Sequence, residues 1–144
     1  MIITFENQED INSLYLHDNI YHGFVFDYKK RAVRMLCENH QEHKRFVLTF
    51  RQVVALQAQN CCFWGPSNHI YDIWIDENPR CYESLLQAQA ENAGKYGFSN
   101  LDSGISYLSI VLQLISGDDI RITCEIIEIE ESDFGLSEEC HILL

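Results

Sequence analysis

Apolar and polar positions alternate most regularly across residues 104–131, GISYLSIVLQLISGDDIRITCEIIEIEE. Within 105–115 one parity carries Leu108, Ile110, Leu112 and Leu114, and the other carries Ile105, Tyr107, Val111 and Ile115 with Ser109 and Gln113 between them. A strand that is apolar on both parities is predicted to be covered on both faces. The return run sets Ile120, Ile122, Cys124 and Ile126 against Arg121, Thr123 and Glu125, until Ile127 and Ile129 break the alternation. That slip predicts a β-bulge near Ile126 and Ile127. Gly117, Asp118 and Asp119 supply the positive-φ residue and short acceptors of a tight turn, so the two runs are predicted to form a long hairpin. A helix here is disfavoured by the β-branched residues and by Gly117.

The upstream chain reads as shorter elements. Residues 2–5 suit a short strand, followed by a polar turn and one helical turn. Phe24, Phe26 and Tyr28 share one parity of an extended run, Lys29 and Lys30 form a turn, and Val33, Met35 and Cys37 alternate on the way back. This predicts a second hairpin. Phe46, Leu48 and Phe50 mark another strand, 52–59 fits either a bent strand or a short helical turn, and 61–68 (CCFWGPSN) is irregular. Residues 70–75 are again a strand. Asn78 before Pro79 is the clearest helix start, with the helix running to about Ala93 and stopped by Gly94. The predicted class is α+β: six or seven mostly antiparallel strands in one sheet or a small sandwich, with a main helix over about 79–93 packed on it. Residues 1–144 are expected to form a single domain, with 132–144 a loosely docked tail.

Composition narrows the function classes. Ten Lys and Arg against twenty-two Asp and Glu give a formal charge of −12. A nucleic-acid backbone would be repelled by that field, whereas a basic protein surface would be attracted. No apolar stretch approaches the roughly 18 residues of a membrane span, and the N-terminal residues lead into Glu6, Glu9 and Asp10 rather than a basic segment. The expected compartment is the cytoplasm. The six cysteines lack any C-x-x-C spacing, so they read as reduced thiols rather than a zinc site, and neither metal nor cofactor is expected.

Three constellations carry candidate chemistry. His17, Asp18 and His22, with His69, form a candidate polar cluster; on an extended segment Asp18 and His22 share a face and His17 points away. The plain alternative is a hydrogen-bonded structural pair. Cys61 and Cys62 near His69 offer a thiol and a base, against buried Cys and a surface His. In the stretch 63–76, Asp72, Trp74 and Asp76 fall on one parity, setting a tryptophan between two carboxylates, with Trp64 upstream. Large aromatics on a polar face are candidate contact anchors; the alternative is a tryptophan covered by the helix. No residue is singled out as catalytic, since the phosphate-binding, nucleophile-elbow and zinc-protease motifs are missing.

His17-Asp18 before Gly23-Phe24-Val25-Phe26-Asp27-Tyr28, Trp64-Gly65-Pro66-Ser67 before a strand, and Ser116-Gly117-Asp118 before the closing strand together resemble small bacterial β-rich domains, some of them immunity-protein-like, over residues 14–130. The resemblance implies a β-rich fold in a bacterial cytoplasm and transfers no catalytic residue. The expected function is a non-enzymatic interaction module binding another protein, a basic one by charge, or a second copy of itself; its sharpest form is an immunity-type inhibitor of a basic toxin. The competing class is a small hydrolase or ligand-binding protein using the 61–76 region with His17, Asp18 or His22.

Overall fold

The structure, a computed structural model, describes residues 1–61, 68–96 and 104–133, with backbone only at 93–96. Nine strands occur among them: β1 (Ile2–Ile3), β2 (Ile20–Asp27), β3 (Ala32–Asn39), β4 (Lys44–Arg51), β5 (Ala55–Gln59), β6 (Ile70–Ile75), β7 (Leu108–Leu114), β8 (Asp119–Cys124) and β9 (Ile126–Asp133). A 3₁₀ segment (Phe5–Ser13) follows β1, and α1 (Arg80–Tyr96) follows β6. The first sheet has the order β1-β9-β4-β3-β2 and the second β5-β8-β7-β6, all pairs antiparallel.

The α+β class and the antiparallel pairing agree with the sequence; a single six- or seven-stranded sheet does not. The difference arises at two corners. β4 leaves the first sheet at Arg51 and becomes β5 of the second, and β8 leaves the second sheet at Cys124 and becomes β9 of the first. The corners lie side by side. Glu125 N–H donates to the Arg51 carbonyl at 3.2 Å and Val54 N–H donates to the Thr123 carbonyl at 2.9 Å, so pairing passes through the bend almost unbroken. Gln52, Val53 and Val54 oppose only Cys124 and Glu125 there, one residue more on one arm than on the other, and Gln52 takes a left-handed φ of +52°. An extra residue bends a ribbon sharply, which is how strands change sheets in sandwiches. The parity slip at Ile126 and Ile127 is therefore the signature of a corner rather than of a bulge within one sheet.

The inner faces of the two sheets form the core. Val33, Met35, Leu48, Phe50, Ile127 and Ile129 come from the first; Ile70, Ile73, Ile110, Leu112, Ile120 and Ile122 come from the second. A second seam joins the far edges, where Ile20 bridges His69, Tyr21 N–H donates to the Asn68 carbonyl and Ile70 N–H donates to the Asn19 carbonyl. β7 is covered on both faces, as its sequence predicts: Val111, on the outer parity, is 1% exposed. α1 lies against β5 and β8 on that outer side, with the Cys81 sulfur 3.9 Å from Thr123 Oγ1, which itself lies 2.7 Å from Ser109 Oγ.

The helix departs from expectation at both ends. Its first i to i+4 hydrogen bond runs from Glu83 N–H to the Pro79 carbonyl, so it opens one residue later than the Asn78–Pro79 pattern suggests, and it continues past Gly94 to Tyr96. One glycine costs about 1 kcal/mol relative to Ala and does not by itself end a helix. β1 is shorter than the 2–5 strand expected, because Asn7 draws the chain into the 3₁₀ segment: its Oδ1 accepts Thr4 N–H at 2.7 Å and its Nδ2 donates to the Ile2 carbonyl at 3.0 Å. Ile11 anchors this segment in the core. β9 extends into the first residues of the expected tail; residues 134–144 lie outside the described residues. Among the described residues no helix is long and apolar enough to cross a membrane.

Leu112→Ala, at a fully buried position, is expected to cost about 2–5 kcal/mol in urea unfolding, and Ile115→Ala, on an exposed side chain one turn away, to stay within about 0.5 kcal/mol. The core also sets a response to alkali. Burial pushes the Cys37 thiol from 9.0 up to about 12, and moves Tyr21 and Cys124 in the same direction. The native state keeps these protons while the unfolded chain releases them, so their contribution is complete below about pH 9 and is lost as pH rises toward 12, at about 1.4 kcal/mol per pH unit per thiol. Urea midpoints at pH 8 and pH 10.5 are expected to fall less for Cys37→Val than for the parent chain.

Candidate functional site

The 3₁₀ segment, the end of β6, the first turn of α1 and the approach to β7 enclose an open cleft of about 940 Å³. Four aromatic side chains line it: Phe5, Trp74, Tyr82 and Tyr107. So do three carboxylates, Glu9, Asp76 and Glu77, whereas no Lys, Arg or His among the described residues does. Tyr82 and Tyr107 hold their ring centres 5.9 Å apart at an angle of 52°. Trp74 is placed by β6, opposite Val111 on β7, and is half-buried. The parity that brings it there is shifted by an irregularity between Ile70 and Asp72, which leaves Tyr71 exposed and sends both Ile70 and Ile73 inward.

The two carboxylates that flank Trp74 in sequence have different roles. Asp72 is exposed, and its Oδ1 accepts the N–H of Ile73. Asp76 is only 6% exposed, accepts Arg121 Nη1 at 3.0 Å through Oδ2 and accepts Asn78 N–H at 3.1 Å through Oδ1. Arg121 is shared with Asp119 at 3.0 Å. Asp76 thus ties β8 to the turn that starts α1, and the carboxylates left facing solvent in the cleft are Glu9 and Glu77. Trp64 lies outside the described residues.

The histidine cluster divides into separate pairs. Asp18 adopts a left-handed φ of +63°, which breaks the extended geometry assumed for 17–22 and brings its Oδ2 within 3.5 Å of His17 Nε2. His17 Nδ1 lies 2.6 Å from the Tyr71 carbonyl. Asp18 and His22 therefore do not act together, contrary to the alternation rule. His22 instead reaches Glu38, its Nε2 2.7 Å from Oε1. Arg45 Nη2 lies 3.5 Å from the other oxygen of the same carboxylate. Glu38 is 1% exposed, so this trio on β2, β3 and β4 is a buried polar feature that alternation alone could not reveal. His69 serves the second seam through its backbone, bridging Ile20 and accepting Ile115 N–H.

Three of the described thiols are not poised for attack. Cys37, Cys81 and Cys124 are all pushed up, chiefly by burial, whereas a nucleophilic thiol needs the opposite shift. Cys61 is exposed and Cys62 lies outside the described residues. Among the described residues no three His, Cys, Asp or Glu side chains are grouped to hold a metal ion.

No protein-family model and no curated protein matches this sequence.

Removing the buried carboxylate tests the trio. Glu38→Ala leaves His22 and Arg45 facing a lost charge, and is expected to cost about 2–3 kcal/mol, below the range for fully buried pairs because both partners reach solvent. Glu128→Gln, on the solvent-exposed pair with Arg51, is expected to stay within about 1 kcal/mol by the same urea measurement.

Proposed function

We propose that this chain is a non-enzymatic interaction module whose acidic, aromatic cleft receives a basic segment of another protein. The observation that carries the reading is the lining: four aromatic rings and three carboxylates with no basic side chain among the described residues. Aromatic faces attract a Lys ammonium or Arg guanidinium, and nearby carboxylates add charge that steers and holds it. Trp74 and the Tyr82–Tyr107 pair supply large contact area with few rotatable bonds, the property of residues that dominate binding energy. The overall charge of −12 favours the same class of partner by accelerating encounter. The sharpest form of the reading is an inhibitor that neutralises a basic toxin, in the manner of immunity proteins.

A hexa-arginine peptide serves as the probe. Saturable binding that weakens with salt is expected by calorimetry, with at least a tenfold loss in Trp74→Ala and in the double variant Glu9→Lys with Glu77→Lys. Glu42→Lys, on the exposed 40–43 turn, changes charge away from the cleft and is expected to have a much smaller effect. Equal losses for the cleft and turn variants would reduce the binding to bulk charge and overturn the reading.

A further inference from the structure

Within the acidic cleft the carboxylates and the rings differ in what they have left to offer. Asp76 is the buried carboxylate, and both of its oxygens are already used, one by Arg121 and one by Asn78 N–H. Ser109, also buried, shares its hydroxyl with Thr123 at 2.7 Å. Glu9 and Glu77 are exposed and stand toward solvent. The rings of Trp74, Tyr82 and Tyr107 are half-buried between these two groups of acceptors. They arrive from three elements, Trp74 from β6, Tyr82 from α1 and Tyr107 from the approach to β7, with the two tyrosines tilted by 52° rather than stacked.

A cation entering this cleft meets two opposed demands. Its charge is welcome, since ring faces attract positive charge and the two outer carboxylates have no basic side chain beside them in the lining among the described residues. Its N–H donors are not. An ammonium carries three, and a donor that leaves water for a ring face loses hydrogen bonds that the committed oxygens of Asp76 and Ser109 do not replace. A cation bearing methyl groups in place of N–H keeps the charge, needs no acceptor, and buries its methyls against apolar rings. The contact uses ring faces alone, so the hydroxyls of the two tyrosines are not required for it.

We infer, resting on the reading of this cleft as the receptor for a basic segment, that the side chain it selects within that segment is an Nε-trimethylated lysine. The quaternary ammonium sits against Trp74, Tyr82 and Tyr107, and neighbouring cations of the same segment meet Glu9 and Glu77. A second cleft, of about 750 Å³, lies on the other side of α1, between the helix, the β2–β3 turn and the β4–β5 corner. It too has rings, Phe26 and Tyr28, but its charges are mixed, Asp27 with Lys29 and Arg31, and Val53 and Leu56 of its apolar lining pack against the core. A quaternary cation has no field to draw it there.

Five-residue peptides with arginine at the four outer positions provide the test, the central residue being lysine, trimethyl-lysine, or the neutral analogue in which carbon replaces the quaternary nitrogen. Calorimetry is expected to show the trimethyl peptide bound at least fivefold more tightly than either of the others, with amide shifts at residues 74–77, 82 and 107. Tyr82→Leu, which keeps apolar bulk and removes a ring, is expected to cut the preference for the trimethyl peptide over the neutral one at least threefold. Equal affinity for trimethyl-lysine and lysine, equal affinity for the charged and neutral forms, an unchanged preference in Tyr82→Leu, or shifts centred on residues 53–56 would each overturn the inference. The first three of these results, with binding retained, leave the receptor role standing; failure of all three peptides to bind removes both.

Discussion

The arrangement depends on two strand corners hydrogen-bonded to each other. A ribbon pair that bent at a single strand would leave the backbone groups of its neighbour without partners, and buried unpaired amides are expensive. Here β4–β5 and β8–β9 bend together, and the bonds from Glu125 to Arg51 and from Val54 to Thr123 carry pairing through the turn. The inner face is therefore continuous across the bend. Leu48 and Phe50 before one corner, and Ile120, Ile122 and Cys124 before the other, all enter one core. The outer face of the second sheet is left to α1, and both clefts are consequences of where that helix comes to rest.

Much of the scaffold was legible because period-two alternation records which side of a strand is covered. The pairing of 108–114 with 119–124, the β2–β3 hairpin and the strand at 70–75 follow from it, and the helix follows from its Asn78–Pro79 start. It fails where the backbone leaves the extended region. Asp18 at +63° undoes the face assignment of 17–22, the irregularity at Tyr71 reverses parity within β6, and the Glu125 corner reads as a bulge because alternation cannot say which sheet the next residue joins. The acidic cleft was only partly visible. Trp74 and Asp76 stood out, but Phe5, Glu9, Tyr82 and Tyr107 arrive from three other segments, and no local spacing connects residue 5 to residue 107. The Glu38 trio escaped notice for a similar reason: its members sit on three strands and meet only through the register that pairs Glu38 with Arg45.

The distribution of charge matters more than its sum. Several cations are committed to acids on neighbouring strands: Lys44 to Glu131 and Asp133, Arg51 to Glu128, Arg45 to Glu38, and Arg121 to Asp76 and Asp119. Pairs of this kind add little stability where they are exposed, but they fix positive charge in place. Glu9 and Glu77 line one cleft, and Asp27, Lys29 and Arg31 line the other. A net charge of −12 thus coexists with cations gathered at the β2–β3 turn.

α1 is the wall common to both clefts. Tyr82 turns toward the aromatic side, while Cys81, Ser84 and Leu85 line the apolar side. Its position is set by two polar contacts rather than by shape alone: Cys81 rests near the buried Thr123–Ser109 pair, and Asp76, held by Arg121, fixes the turn from which the helix starts. Both contacts reach β8, the strand that turns the corner into β9. Because four residues of one turn face two clefts, a rotation of the helix that opens one must redirect side chains in the other. The corners that define the core therefore also define the geometry available for recognition on either side of the helix.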